Sequence, residues 1–343
     1  MPALRMPRPR MLALGLAALA GMAGAAEAGA HRIYVANEYD ASISVIDPES
    51  GETLDTIGIS GRPGEVRPRG MAVSPDGRTI YVAVSDFLPG RQSPEDAIVA
   101  IDTATNRVLR RYRAGGNPER VAISPDGTQL WAALEATAQV VGIDTATGAE
   151  IGKFQTGVET EGVAVSPDGR HVLVTAETSH TVTMVDARAR KVLTHLLVGN
   201  RPRDVVFSPD GARAYVSAEI GGTVSVIDVA ARKVVDTISL GLDSRPVELN
   251  LDPSGGRLYV AGGGTSAVYV IDTARAEVVE VIRERMGRRP WGLSVSPGGE
   301  RIYTANGLSD SVSVIGADCL CVLDQFAAGR GAHSVEVGVV DAR

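Results

Sequence analysis

The chain is poor in the residues that carry several common kinds of chemistry. Among 343 residues there are two cysteines, Cys319 and Cys321, too few for a disulfide framework, so stability has to come from packing. Only five histidines occur, His31, His171, His180, His195 and His333. That excludes a histidine-rich copper cluster, and because lone histidines are usually structural, no metal ion is expected. Basic residues do not outnumber acidic ones: Lys+Arg is 34 against Asp+Glu 41, a formal net charge of −7. Nucleic-acid binding needs a basic surface, so that class of partner is excluded. No Gly-x-Ser-x-Gly elbow, phosphate-cradling glycine loop or His-Glu-x-x-His pair occurs, and no cofactor is expected. No apolar run reaches the roughly 20 residues that a membrane-spanning helix needs.

What is present begins with an export signature. Arg5, Arg8 and Arg10 precede a short apolar stretch from Met11 to Ala20, followed by small-residue cleavage candidates at Ala25, Ala28 and Ala30. This pattern predicts a signal peptide over residues 1–30, a mature domain over 31–343, and a periplasmic location.

Beyond it, one pattern recurs seven times: Ile33-Tyr34-Val35-Ala36, Ile80-Tyr81-Val82-Ala83, Leu130-Trp131-Ala132-Ala133, Val172-Leu173-Val174-Thr175, Ala214-Tyr215-Val216-Ser217, Leu258-Tyr259-Val260-Ala261 and Ile302-Tyr303-Thr304-Ala305. An alternating segment follows each and closes on Asp47, Asp102, Asp144, Asp186, Asp228 or Asp272, with Gly316 in the seventh place. A Pro-Asp-Gly-like turn precedes the second to seventh copies, as in Ser166-Pro167-Asp168-Gly169. One unit therefore holds four short strands, a to d, for example Val163–Val165, Val172–Thr175, Thr181–Val185 and Lys191–Val198. Asp-Gly tolerates the positive φ that a tight a–b hairpin requires. A four-stranded sheet with two apolar faces cannot bury them alone, so neighbouring units must stack. The first unit lacks a strand a, and His333-Ser334-Val335-Glu336-Val337 is a strand a with no b after it. Joined, the two fragments complete a blade and leave no exposed sheet edge. The predicted fold is all-β: a seven-bladed β-propeller of four-stranded antiparallel blades, closed by pairing of N- and C-terminal strands.

These segments resemble the YVTN-repeat β-propeller family, from Arg32 to about Val337. Seven repeats behind a signal peptide are similar to the propeller proteins associated with PQQ-dependent alcohol catabolism. The resemblance implies an accessory or binding protein, with a periplasmic quinoprotein dehydrogenase or cytochrome c as partner. It does not imply that this chain holds the quinone: the tryptophan that quinoprotein repeats place beyond an Asp144–Gly148-type turn is missing, and Phe154 stands near its place.

Unit spacing locates the variable face. From turn proline to closing aspartate the interval is 19 residues in five units (Pro167 to Asp186, for example) but 27 in the second, Pro75 to Asp102. The extra residues form a b–c loop from Asp86 to Asp96, and a second, d–a insertion falls around Gly61 to Arg67. In a meander both loop types lie on one face, which is where a rigid scaffold carries function. Phe87, Leu88 and Pro89 in the long loop are candidates for partner contact.

The d–a loops in register read Arg67-Pro68-Arg69, Asn117-Pro118-Glu119, Glu159-Thr160-Glu161, Arg201-Pro202-Arg203, Arg245-Pro246-Val247, Arg289-Pro290-Trp291 and Gly331-Ala332-His333. They deliver residues to the mouth of the central channel. Arg69, Arg203, Arg289, Trp291 and His333 there would hold a small anionic organic ligand through forked hydrogen bonds and stacking; bracing of neighbouring loops is the competing role. A second column at the ends of strands b holds Glu38, Glu135, Glu177 and Glu219, which would form a cation ring, act as acids, or pair with loop arginines. An alternative function is a lactonase-like hydrolase or isomerase, in which Arg69, Glu119, Glu161, Arg203 and His333 bind and activate a lactone or carboxylate. No catalytic residue is singled out. Cys319-x-Cys321 sits at the last c–d turn, on the opposite face.

Overall fold

A computed structural model describes residues 30–86 and 93–340. Twenty-eight strands form seven four-stranded sheets, and the described residues include only two single-turn helices, Glu135–Thr137 and Leu242–Ser244. Blade 4 is typical: Thr160–Val165, His171–Ala176, Thr181–Asp186 and Lys191–Leu197 pair in sequence order. Strands b and c are buried almost throughout, while d alternates or faces solvent. The core is accordingly a series of apolar clusters lying between neighbouring sheets, such as Tyr34, Val45 and Ile57 of blade 1 with Met71, Val82 and Val99 of blade 2. The phenol of Tyr34 donates to the Thr103 carbonyl at 3.2 Å and ties the same two blades at their rim.

The ring closes as the orphan fragments require. The C-terminal strand Ala332–Val340 pairs antiparallel with Ala30–Asn37, registering Ile33 on Val337 and Val35 on Val335. Blade 1 is therefore composite, with strand a from the C-terminus and b, c and d from the N-terminus.

Turn chemistry explains the regularity on one face. In Ser166–Gly169 the serine hydroxyl donates to Asp168 Oδ1 (2.5 Å) and accepts from the His171 N–H (2.8 Å), and Gly169 takes φ +68°. Each closing aspartate caps its c–d turn by accepting the N–H three residues on, for example Ala189 to Asp186 at 2.7 Å. Blade 7 has Gly316 at that place and instead a disulfide from Cys319 to Cys321.

On the other face the described ends of the two insertions of blade 2 are neighbours. They lengthen one hairpin, which pairs Val66 with Asp86 and Arg67 with Ser85 beyond the bulge at Pro68–Met71. Arg62 in the d–a insertion reaches Asp86 at 3.3 Å.

Candidate functional site at the channel mouth

Strand a is the innermost strand of every blade, and in each it carries an irregularity in register: Pro68–Met71, Pro118–Arg120, Thr160–Val163, Pro202–Val205, Pro246–Leu249 and Pro290–Gly292, with a matching shift opposite Ala36–Asn37 in blade 1. A regular strand would send consecutive side chains to opposite faces. A bulge breaks that alternation and re-aims side chains. The result is two polar layers around the channel where sequence alternation alone gives one.

The outer layer contains Arg69, Glu119, Glu161, Arg203, Trp291 and His333. Arg69 donates through Nε to Glu119 at 2.6 Å and through Nη1 to Glu38 at 2.7 Å, with Glu161 4.0 Å away. Burial disfavours its charge, but these carboxylates outweigh burial and raise its pKa further above the ordinary range. Arg203 is paired with Glu177 and lies 3.5 Å from both Glu161 and Glu219. Arg201 bridges Glu177 (2.9 Å) and Glu219 (3.2 Å). Three members of the acidic column, Glu38, Glu177 and Glu219, thus stand in ion pairs. The fourth, Glu135, accepts from the Asn117 amide at 2.7 Å and is pushed up to about 7 by burial and then by the charges of Glu119 and Glu161.

A cavity of about 370 Å³ opens over this layer. Its floor holds Glu161, Arg203, Trp291 and His333, and Tyr39 and Leu308 form apolar parts of its wall. Burial drives the Glu161 carboxyl up, opposed by Arg203 and reinforced by Glu119. His333 is only 8% exposed, and neither ring nitrogen has a hydrogen-bond partner among the described residues. Burial and then the positive field of Arg69, Arg203 and Arg120 hold its pKa well below the ordinary histidine value, so the imidazole is neutral. Trp291 packs against it at 5.5 Å between ring centres, with the guanidiniums of Arg203 and Arg289 over the indole at 4.8 and 4.6 Å.

The inner layer escaped the sequence reading. Arg120 of blade 3 crosses the channel to Asp204 (3.3 Å) and Glu248 in blades 5 and 6. Glu336 of the closing strand receives the Ser294 hydroxyl at 3.1 Å. Three carboxylates share one guanidinium. Glu248 is pushed up to about 7 by burial and Asp204, against the pull of Arg120; Glu336 reaches about 8 through burial and Glu248. A signal for this layer existed: Arg120 and Glu336 put charge at places where blades 2 and 4 have Gly70, Gly162, Ala72 and Ala164.

The sequence-selected mouth residues Arg69, Glu119, Glu161, Arg203, Arg289, Trp291 and His333 therefore converge. Arg69 and Arg203 are engaged by carboxylates, whereas Arg289 has none within 4 Å among the described residues. Phe87, Leu88 and Pro89, like the N-terminal leader, lie outside the described residues. No three His, Cys, Asp or Glu side chains among the described residues form a metal-holding group, and no described helix is long and apolar enough to cross a membrane.

No curated protein matches the chain in sequence. Solved structures match its fold across most of its length. A functionally unknown protein from Desulfotomaculum acetoxidans superposes with a TM-score of 0.75 at 16% identity, covering 90% of this chain and 99% of the other. A putative 6-phosphogluconolactonase from Bacteroides fragilis gives 0.71 at 16% identity, covering 90% and 98%. Hydrazine synthase from Kuenenia stuttgartiensis gives 0.67 at 18%, covering 80% and 95%. Residues 163–320, just under half of the chain, match the family model described as lactonase, 7-bladed beta-propeller.

Proposed function

We propose that the channel mouth is a hydrolytic site that opens lactones. One observation carries the reading: a neutral imidazole with both nitrogens unpartnered and a carboxyl of raised pKa, His333 and Glu161, line the floor of one cavity. Buried polar atoms are nearly always satisfied, so two orphan ring nitrogens at a cavity wall mark a place for a ligand. The match of residues 163–320 to the lactonase model supports it. In this mechanism His333 donates its N–H to the lactone carbonyl oxygen. Glu161 takes a proton from a water that attacks the carbonyl carbon; the ring C–O bond breaks, and the ring oxygen takes up that proton to leave a hydroxy acid. A base tuned upward from the ordinary carboxylate range is suited to this work near neutral pH. The raised Glu135 carboxyl stands in the same wall as a second acid–base group. We place this activity in the periplasm, after removal of the predicted leader.

Hydrolysis of glucono-lactones, with and without a 6-phosphate and with and without added divalent metal, tests the reading. Turnover above the spontaneous rate is expected, with His333→Ala and Glu161→Gln each losing at least about 100-fold in kcat/KM. Absence of turnover on the whole panel, or unchanged activity in His333→Ala, overturns it. The accessory role in PQQ-dependent alcohol oxidation rests on the repeat resemblance alone. Its test is recovery of a quinoprotein dehydrogenase or cytochrome c on the intact chain, compared with a chain lacking residues 87–92.

A further inference from the structure

The repeat supplies its own reference for the arginines of the mouth. Each d–a loop presents one residue at an equivalent place, and in blades 5, 6 and 7 it is Arg201, Arg245 and Arg289. All three take the left-handed backbone, with φ of +59°, +47° and +57°, so their side chains leave the chain alike. Their surroundings differ. Arg201 stands between two glutamates of the strand-b column, Glu177 and Glu219, which neutralise it at 2.9 and 3.2 Å. After Glu219 the column changes to Gly263 and Gly307. Arg289 occupies the same position relative to these two glycines, and no described carboxylate lies within 4 Å of its guanidinium, which stacks on Trp291 instead. Arg245 likewise has no described carboxylate within 4 Å, since Glu219 is taken by Arg201 and Arg203. Both guanidiniums line a cavity of about 150 Å³ walled by Val247, Gly263, Gly264 and Trp291, together with Glu219, whose carboxylate is held by Arg201 and Arg203. This cavity shares the Arg289–Trp291 partition with the mouth pocket.

Nothing in the backbone demands glycine at the two column positions. Neither has positive φ, and a Cβ would find its nearest neighbour at 3.4 Å, an ordinary contact. The missing carboxylates are therefore not a steric necessity. We propose that this cavity is an oxyanion subsite: a ligand carboxylate or phosphate fills the place that a column glutamate fills at Arg201, held by Arg289 and Arg245. Arg289, half-buried, and Arg245, exposed, have forks open to such a partner, whereas those of Arg69 and Arg203 are already occupied. The inference rests on the proposed reaction only in taking the mouth cavity as the place for the rest of the ligand.

Tryptophan fluorescence reads the subsite directly. Trp131 is fully buried between blades, whereas Trp291 forms the cavity wall. Titration of the chain with inorganic phosphate and, separately, with acetate should change Trp291 emission saturably. Tighter phosphate binding assigns a phosphorylated ligand, and tighter acetate binding a carboxylate ligand. Arg289→Gln should weaken binding about tenfold or more. Gly307→Glu, which supplies the missing internal carboxylate, should weaken it comparably, while Gly307→Gln, equal in bulk, stays within about threefold of the native chain. Circular dichroism verifies that the variants are folded. The proposal is overturned if neither anion gives a saturable response, or if Gly307→Glu binds as Gly307→Gln does. Because no turnover is measured, failure of lactone hydrolysis and failure of anion binding are separate results.

Discussion

Replacing Glu336 by glutamine should remove a pH dependence of stability that originates inside the channel. Glu336 faces Glu248 and Asp204 across the bore, with Arg120 as the one cation of the layer among the described residues and the Ser294 hydroxyl as its donor. Its carboxyl is pushed up to about 8 from an ordinary 4.5. Near neutral pH the folded chain therefore keeps a proton that the unfolded chain has already released. The associated stability is complete below pH 4.5, declines above it, and is gone once pH exceeds about 8. Between pH 7 and 9 the loss is at most about 1.4 kcal/mol, reduced to the extent that channel water screens the half-buried side chain. Glu248 and Glu135, each raised to about 7, finish releasing their protons in the same window and add smaller losses of the same sign. The aspartates that cap turns, such as Asp47 and Asp186, have lowered pKa values and finish titrating in acid, and the buried phenols of Tyr34 and Tyr81 are raised to about 12. Urea denaturation at pH 7, 8 and 9 measures the effect. Native protein should weaken with rising pH, and Glu336→Gln, which keeps an acceptor for Ser294, should show a clearly shallower profile, the remaining slope coming from Glu248 and Glu135. An equal slope in both proteins would mean that the proton is held elsewhere and that the three carboxylates are not sharing one guanidinium as described.

Two further outcomes follow from the packing and the turns. A Cβ on Gly292 would meet the His333 carbonyl oxygen and Ser334 Cα at 2.7 Å, so Gly292→Ala should force the last two inner strands apart and cost about 1–3 kcal/mol; Gly58→Ala, with nothing within 4 Å, should be close to neutral by the same chemical-denaturation assay. At the blade 7 turn, Cys319 occupies the position whose N–H binds the closing aspartate in the other blades, so the disulfide stands in for that cap. Cys319→Ala with Cys321→Ala should lower the melting temperature, and adding Gly316→Asp to that pair should recover about 1 kcal/mol, since the added Cβ would otherwise contact only the Cys319 sulfur at 2.9 Å and the Leu323 side chain at 3.3 Å.

The blades were legible because each repeats local chemistry that has only one good structural outcome. Ser-Pro-Asp-Gly builds its hairpin through the serine hydroxyl and aspartate carboxylate, and Val172–Thr175 offers apolar side chains to both faces. Ring closure was legible for the same reason, since Val335-Glu336-Val337 matches a strand a that the first unit lacks. The mouth could be read only in outline. Register brought Arg69, Glu119, Glu161, Arg203 and His333 to one rim, yet whether an arginine is free or neutralised depends on which glutamate lies beside it in the adjacent blade. Arg69 meets Glu38 across a separation of 31 residues, and Arg120 meets Glu248 across 128. Such pairings depend on ring geometry, which no local pattern encodes. The bulges that turn a second residue of each strand a toward the bore are also invisible in the sequence, because Glu119-Arg120 and Arg203-Asp204 look like ordinary alternation with one side exposed.

Pseudo-symmetry nevertheless converts these hidden pairings into a test of their meaning. Seven near-equivalent positions share one backbone environment, so a side chain that differs from its counterparts was not required by the fold. Where the column keeps its glutamates, arginine and carboxylate satisfy each other and little is left for a ligand. Where Gly263 and Gly307 replace them, a guanidinium without a described carboxylate and an imidazole with two unpartnered nitrogens flank Trp291 on one arc of the rim. A buried polar group without a partner costs stability unless something meets it, and His333 is such a group. The chain places that cost on the same arc as the arginine it leaves without a described carboxylate, and such a concentration is expected where binding energy is to be recovered from a ligand rather than from the fold.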